Sequence, residues 1–333
     1  MTGPRTDAHP DRRVHAGKRV AQEICRPSGR RNVRSNGAPE PDFAIENKTR
    51  SSAKELPGLE LTIDQFKKLS VLVYRKLGLM FEENKIYFLN KRVEIRVLAL
   101  GLKGIDDYLF HLGYGDASGD EMQALANLIT TNETYMFREF EQLESFANCC
   151  MPEVIAAKQK RSERRVRIWC AGCSSGEEAY TLAIIVREVF PDSQNWEIEI
   201  TATDIDENML RLASKAVYGD RSVRGVPDVY TRHLIPTGGN FRIHPDVARL
   251  VRVAKLNLND EQQMKAMRNY DFIFCRNVLI YFDDESRRNV LNHFYNAMNP
   301  GGYIFLGHSQ SVGRITNAFR LKRLEGHLLY TKD

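Results

Sequence analysis

No apolar run in this 333-residue chain approaches the ~18 residues that a membrane-spanning helix needs, and the mean hydropathy is -0.42. A spanning helix is therefore not expected. The amino terminus also lacks the apolar stretch of a secretory signal, and 6 cysteines are too dilute for a disulfide-stapled scaffold. These absences predict reduced thiols and a cytoplasmic protein. No internal repeat is visible. A charge excess is missing from most of the chain: residues 1–55 hold 12 Lys+Arg against 7 Asp+Glu, and the rest holds 36 of each. A balanced body argues against a nucleic-acid binder, which should carry a basic face on the folded domain itself. The first 55 residues further lack leucine and contain one aromatic residue, Phe43, so they bury too little to offset the entropy of ordering. They read as a disordered basic extension, either dispensable or a weak electrostatic tether to an acidic surface.

What is present is a globular composition, 42% apolar and 9% aromatic, with length for about two domains at roughly 100–200 residues each. Thr62 to Gln65 has capping-box spacing, followed by Phe66, Leu69, Val73 and Leu77 and then Gly78, so start, face and stop agree on a helix. A second helix follows from Asn84, with Ile86, Leu89, Val93, Val97 and Leu100 at steps of three and four before Gly101; Lys85, Lys91, Arg92 and Arg96 fall elsewhere on the wheel. Shorter helices are predicted at 106–112 and 120–129, and a long one from Phe137 to about Lys158. From Val166 short apolar strands alternate with amphipathic segments, the pattern of an α/β domain with a mainly parallel sheet. Strands are predicted at 166–170, 198–203, 272–274 and 303–306, and helices at 177–190, 206–216 and 284–298. The expected organisation is a helical domain over 56–135, a linking helix over 136–164 and a doubly wound α/β domain over 165–333. Pro227, Pro236, Gly238, Gly239 and Pro245 mark an inserted β-subdomain at about 218–256.

The chemistry concentrates at strand ends. Arg167-Ile-Trp-Cys-Ala-Gly-Cys-Ser-Ser-Gly-Glu-Glu-Ala-Tyr-Thr reads as a strand, a small-residue loop and a helix start, where doubly wound sheets bind nucleotide-like ligands. Gly172 and Gly176 permit a tight turn and close backbone approach. The spacing is not that of a dinucleotide loop, and Glu177 and Glu178 would repel a pyrophosphate at the helix start. Two acids there suit a ligand with positive charge, such as the sulfonium and ammonium of S-adenosylmethionine; the alternative is a tight turn with solvated glutamates. In Thr201-Ala-Thr-Asp204-Ile-Asp206, Asp204 is placed to accept from two ribose hydroxyls and Asp206 to cap the next helix. Arg276, Asn277 and Tyr281 come directly after a buried strand and read as a site floor, although a helix cap explains Asn277 equally well. Cys170 and Cys173 fit a Cys-x-x-Cys spacing, but no second pair or paired histidines accompany them, so no metal site is expected. His308 reads as a structural histidine or a hydrogen-bonding member of the site.

These segments resemble the chemotaxis-receptor glutamate O-methyltransferases of the CheR type. The resemblance covers about Leu61 to Lys332. It is carried by Thr130-Thr-Asn132-Glu-Thr134-Tyr-Met-Phe-Arg138-Glu139, the loop Ala171 to Tyr180, Ala202-Thr-Asp204-Ile-Asp206, Phe274-Cys-Arg-Asn-Val-Leu-Ile-Tyr-Phe-Asp283 and Gly307-His308-Ser309. Ala179, Met136 and Gln310 depart from the family pattern without removing an expected ligand contact. The resemblance implies an S-adenosylmethionine-dependent methyltransferase fold that releases S-adenosylhomocysteine. Asn132, Thr134 and Arg138 would close over the cofactor, Glu178 would meet its amino-acid moiety and Asp204 its ribose. Asn257 and Leu258 would flank the adenine, Gly172, Arg276 and Asn277 would line the rest, and Arg138 and Tyr281 would lie near the reacting methyl.

The resemblance also implies partners. Lys91, Arg92 and Arg96 would dock on acidic cytoplasmic helices of a receptor, the bland alternative being a solvated helix face, and the β-subdomain would take a receptor tail peptide. A monomer is expected, cytoplasmic and recruited to receptor arrays. Two other readings stay open: a related methyltransferase acting on another protein or a small carboxylic acid, and a silent cofactor-binding scaffold of a signalling array.

Overall fold

Alternation along the central strands builds the molecule. In the computed structural model, which describes residues 59–190, 192–307, 316–324 and 327–333, strand β1 (Arg165–Ala171) sends Ile168 and Cys170 to one face and Trp169 and Ala171 to the other. Strand β7 (Tyr270–Cys275) does the same with Phe272 and Phe274 against Ile273 and Cys275, and β8 (Met298–Leu306) with Tyr303 and Phe305 against Ile304 and Leu306. Both faces are apolar because helices cover both. The helices Phe140–Ser145, Met151–Lys160 and Glu177–Val189 pack on the first face; Glu261–Ala266 and Asp284–Ala297 pack on the second. The extension over residues 1–55, His308 and Gln310 lie outside the described residues.

The seven-stranded sheet has the order β6-β2-β1-β7-β8-β10-β9, in which β2 is Glu197–Asp204, β6 Val251–Lys255, β9 Arg320–Leu324 and β10 His327–Thr331. Strands β6, β2, β1, β7 and β8 run parallel, and β10 and β9 close the sheet antiparallel. From β1 the chain adds β2 and β6 on one side before returning to place β7 on the other, which opens a crevice at the carboxyl ends of β1 and β7. A separate antiparallel sheet, β3-β5-β4, comprises Val217–Tyr218, Asn240–Ile243 and Leu234–Thr237. This is the doubly wound fold with an inserted small β-subdomain, preceded by helices. No described helix is long and apolar enough to cross a membrane.

The amino-terminal helices form as their residues dictate. Ile63–Leu77 starts with the reciprocal Thr62–Gln65 capping box and ends at Gly78 in the left-handed region, burying Phe66, Leu69, Val73 and Leu77. Ile86–Leu100 buries Leu89, Val93 and Val97 and ends at left-handed Gly101. Three details differ from the sequence expectation. The helix expected from Phe137 begins at Phe140 and carries a π turn at Phe146–Cys150. It is a layer of the sheet rather than a free connector: Phe146 meets Phe272, Phe274 and Phe305 edge-on at 5.0, 5.3 and 6.1 Å. Val251–Lys255, expected in the inserted subdomain, is the edge strand of the main sheet, and β9 and β10 were not foreseen.

Candidate active site

After β1 the chain turns through Gly172 (φ 81°), Ser174 (φ 48°) and Gly176 (φ 93°) into the helix Glu177–Val189. Gly172 and Cys173 both donate their N–H to the Thr203 carbonyl, at 2.8 and 2.9 Å, so the loop is pinned to the end of β2. A Cβ on Gly172 would overlap Val278, and one on Gly176 would stand 2.9 Å from the Ala213 methyl; both approaches need glycine. At the end of β2, Asp204 accepts from Ser174 N at 2.7 Å and from Asp206 N at 2.9 Å. A carboxylate offers about four lone-pair sites, more than these backbone donors use. Burial, with help from the neighbouring Asp206 charge, pushes the Asp204 carboxyl above the ordinary aspartate range, against the backbone hydrogen bonds that hold it down.

The two acids of the helix start part company. Glu178 lines the cleft, and its Oε2 accepts from Arg276 Nε at 2.5 Å. Glu177 does not line it: buried to 3% exposure, it accepts from Ser175 Oγ at 2.7 Å and Ser222 Oγ at 2.9 Å. The expected mouth bearing two acids is thus corrected to one, itself balanced by a guanidinium. The Ser175 and Ser222 hydroxyls hold the first carboxylate inward. Asp204 and Glu178 remain on the cleft wall.

Arg276 also donates from Nη1 to the Arg138 carbonyl at 2.8 Å. Arg138 stands between Phe137 (φ 58°) and Glu139 (φ 54°), two non-glycine residues in the left-handed region, a conformation that costs about 1–3 kcal/mol at each. Phe137 is held by the Thr181 hydroxyl, which accepts its N–H at 3.1 Å, and by a stack on Tyr230 at 4.8 Å. Asn277 (φ 60°) donates its amide to Glu139 Oε1 at 3.1 Å. It packs so closely on Gly307 that any side chain there would overlap it. The Arg138 side chain donates to the Glu133 carbonyl at 2.8 Å and lies over the Tyr135 ring.

Asn132, Thr134, Arg138, Gly172, Glu178, Asp204, Asn257, Leu258, Arg276, Asn277 and Tyr281 all line one cleft, of about 1120 Å³ with its open mouth included. The Asn132 amide is turned to Asp206, at 2.8 Å, beside the Thr130 hydroxyl at 2.9 Å, and this acid also caps the helix Glu207–Lys215. Asn257 donates its amide to the Lys76 carbonyl at 2.8 Å, while Leu258 gives the cleft an apolar wall. The sequence reading missed the contribution of the helical segment: Leu77, Leu79, Met80 and Phe81 complete the lining, with Leu79 bridged to Phe282 and Met80 N donating to the Tyr281 carbonyl at 3.0 Å. No local pattern carries that contact, which arises from packing between distant segments.

The docking candidates lie outside the cleft. Arg96 is turned inward, donating to both oxygens of buried Glu121 at 2.9 and 2.6 Å, and Tyr108 donates to the same acid at 2.9 Å. Arg92 lies over the Phe88 ring and donates to the Leu128 carbonyl at 3.4 Å. Lys91 is exposed beside Tyr87. Cys170 and Cys173 are buried, and burial pushes both thiols well above their usual range, which keeps them protonated and unreactive.

The family model described as "CheR methyltransferase, SAM binding domain" matches residues 132–326, and "CheR methyltransferase, all-alpha domain" matches 64–130. This chain belongs to the CheR methyltransferase family. Chemotaxis protein methyltransferase 2 of Vibrio cholerae is 37% identical over 274 residues, which is 82% of this chain and 94% of the relative. The chemotaxis protein methyltransferases of Borreliella burgdorferi and Escherichia coli are each 30% identical, over 76% and 79% of this chain and 90% of each relative. The cofactor of this CheR-type domain is S-adenosylmethionine, and the donor set fits it: the Asp204 lone pairs for vicinal hydroxyls, Glu178 and Arg276 for an ammonium and a carboxylate, and Leu258 for a base.

Proposed function

We propose that this protein methyl-esterifies glutamate side chains in the cytoplasmic helices of chemotaxis receptors. S-adenosylmethionine supplies a methyl already activated on a positive sulfur and is released as S-adenosylhomocysteine. The acceptor carboxylate, with a reference pKa near ~4.3, is an anion at neutral pH, so the protein need not remove a proton. Its task is to align the acceptor and exclude water. The observation that carries the reading is Arg138, a cleft-lining cation on a strained segment whose guanidinium is not committed to an acid among the described residues. It is suited to orient an incoming carboxylate. On this reading Arg138 and Tyr281 flank the reacting centre. Asn132, Thr134, Gly172, Glu178, Asp204, Asn257, Leu258, Arg276 and Asn277 hold the cofactor. Lys91 and Arg92 offer charge to a receptor's acidic face, whereas Arg96 would first have to release Glu121.

Loss of a negative charge from a helical bundle relieves repulsion between neighbouring helices, which gives the modification a route to signalling. The experiment is incubation with methyl-labelled cofactor and receptor cytoplasmic fragments. Alkali should release the label as methanol, and label that survives alkali would mean a product other than an ester.

A further inference from the structure

Ser222 belongs to the short helix Asp220–Val223 of the inserted subdomain and lies outside the cleft. Its hydroxyl donates to Glu177 Oε1 at 2.9 Å, and its carbonyl accepts the Met136 N–H at 2.9 Å. Glu177 opens the helix after the glycine loop, and its other oxygen is held by Ser175 of that loop. Met136 stands two residues before Arg138. One residue therefore bonds the start of the helix after the glycine loop with its side chain and the arginine segment with its backbone. Parallel contacts run alongside. The Tyr218 hydroxyl donates to the Ser175 carbonyl at 2.8 Å, and the Thr181 hydroxyl donates to the Glu177 carbonyl at 2.7 Å while accepting Phe137 N–H.

We infer that Ser222 is a positioning residue for methyl transfer, holding the glycine loop and the Arg138 segment in one register through Glu177 and Met136. A buried carboxylate fixed by two hydroxyls has a single satisfied rotamer, and removing one donor leaves an oxygen without its hydrogen bond. The lost constraint falls on a segment whose left-handed residues, Phe137 and Glu139, persist only while their surroundings hold them. The inference rests on the reading of Arg138 as the residue beside the reacting methyl.

The test compares wild type with Ser222→Ala and Ser222→Thr in the full chain. For Ser222→Ala, kcat should fall about 10-fold while the Kd for S-adenosylhomocysteine, read by calorimetry, moves less than about 3-fold. Amide hydrogen exchange over residues 131–139 should quicken. Ser222→Thr, which keeps the hydroxyl, should restore kcat and exchange protection. Adding Glu177→Gln to Ser222→Ala should cost less than the two single effects combined. Unchanged kcat and exchange in Ser222→Ala, equal failure of the threonine variant, additive losses, or a Kd that collapses in step with kcat would each overturn the inference. If wild type leaves receptor fragments unmethylated, the proposed substrate is wrong, yet the exchange comparison still decides the role of Ser222.

Discussion

Arg276 and Glu178 meet through Nε and Oε2 at 2.5 Å, with side chains only 4% and 13% exposed. The same guanidinium reaches the Arg138 carbonyl, so one fork joins the cleft wall at Glu178 to the Arg138 segment. Arg276→Ala leaves a half-buried carboxylate without its partner and should destabilise the protein by about 1–3 kcal/mol, measured as a shift in urea midpoint. Arg276→Lys keeps the charge but lacks the planar fork. It should retain most of the stability while losing about 10-fold in cofactor affinity, the order of one charge-assisted hydrogen bond. Calorimetry on the lysine variant showing native affinity would mean that the charge alone suffices.

On the proposed reading, Asp204 gives the cofactor site a pH limit. Its carboxyl lies above the ordinary aspartate range because it is buried, and only the ionised form has acceptors to spare for two hydroxyls. Affinity for S-adenosylhomocysteine should be full above this raised pKa and fall as pH drops through it. The stability of the ligand-free chain runs the other way: an acid whose pKa rises on folding favours the folded state at low pH, and that contribution is lost as pH rises from the ordinary to the raised value. Asp204→Asn should bind weakly at every pH. An acid limb that persists in this variant would locate the titration elsewhere.

Arg138 differs from Arg276, the other arginine lining the cleft, in having a half-exposed side chain that is not paired with Glu178. Arg138→Ala should therefore lower turnover by about 100-fold through lost alignment, with cofactor affinity nearly unchanged. A collapse of cofactor binding in parallel with activity would reassign it to holding the cofactor.

How much of the fold and the cleft is legible in the sequence depends on the range of each interaction. The capping box at Thr62 and the strands around Ile168, Ile200, Phe272 and Phe305 declare themselves within a few residues, by spacing and apolar runs. Cleft residues at strand ends were legible for the same reason, since the fold presents the residues at the carboxyl ends of β1, β2 and β7. Val251–Lys255 alternates, with Val251 and Val253 half-buried and its other residues exposed, but it was hidden because it comes directly after a segment rich in turn residues. Glu177 and Glu178 are chemically identical neighbours, and one of the two hydroxyls that hold Glu177 inward comes from Ser222, 45 positions away. Arg96 looked like a surface cation because Glu121 belongs to a different helix.

That pairing separates the three basic residues of the helix Ile86–Leu100 by experiment. Arg96→Ala strands Glu121, which is 5% exposed, and should cost about 2–3 kcal/mol, visible as a lower midpoint in denaturant. Lys91→Ala removes an exposed ammonium and should change stability by less than about 0.5 kcal/mol. Receptor-fragment capture should respond in the opposite sense: Lys91→Glu should weaken it at low salt, with the difference vanishing as salt is raised. Salt-independent capture by Lys91→Glu at wild-type strength would remove this helix from the docking surface.

Gly172 tests whether the cleft depends on the glycine turn itself. Gly172→Ala meets two separate obstacles, a φ of 81° that disfavours any side chain and the Val278 methyl in the place its Cβ would take. The first costs about 1–2 kcal/mol; the second forces the loop off Thr203, whose carbonyl anchors Gly172 and Cys173. Gly172→Ala should therefore lose cofactor binding outright while the sheet stays folded by circular dichroism. Combining it with Val278→Ala removes the methyls but not the backbone penalty, so binding should return about 10-fold below that of Val278→Ala alone. If the double variant binds no better than Gly172→Ala, the dihedral rather than the valine is the whole constraint, and the close approach of β1 to the segment after β7 does not shape the site.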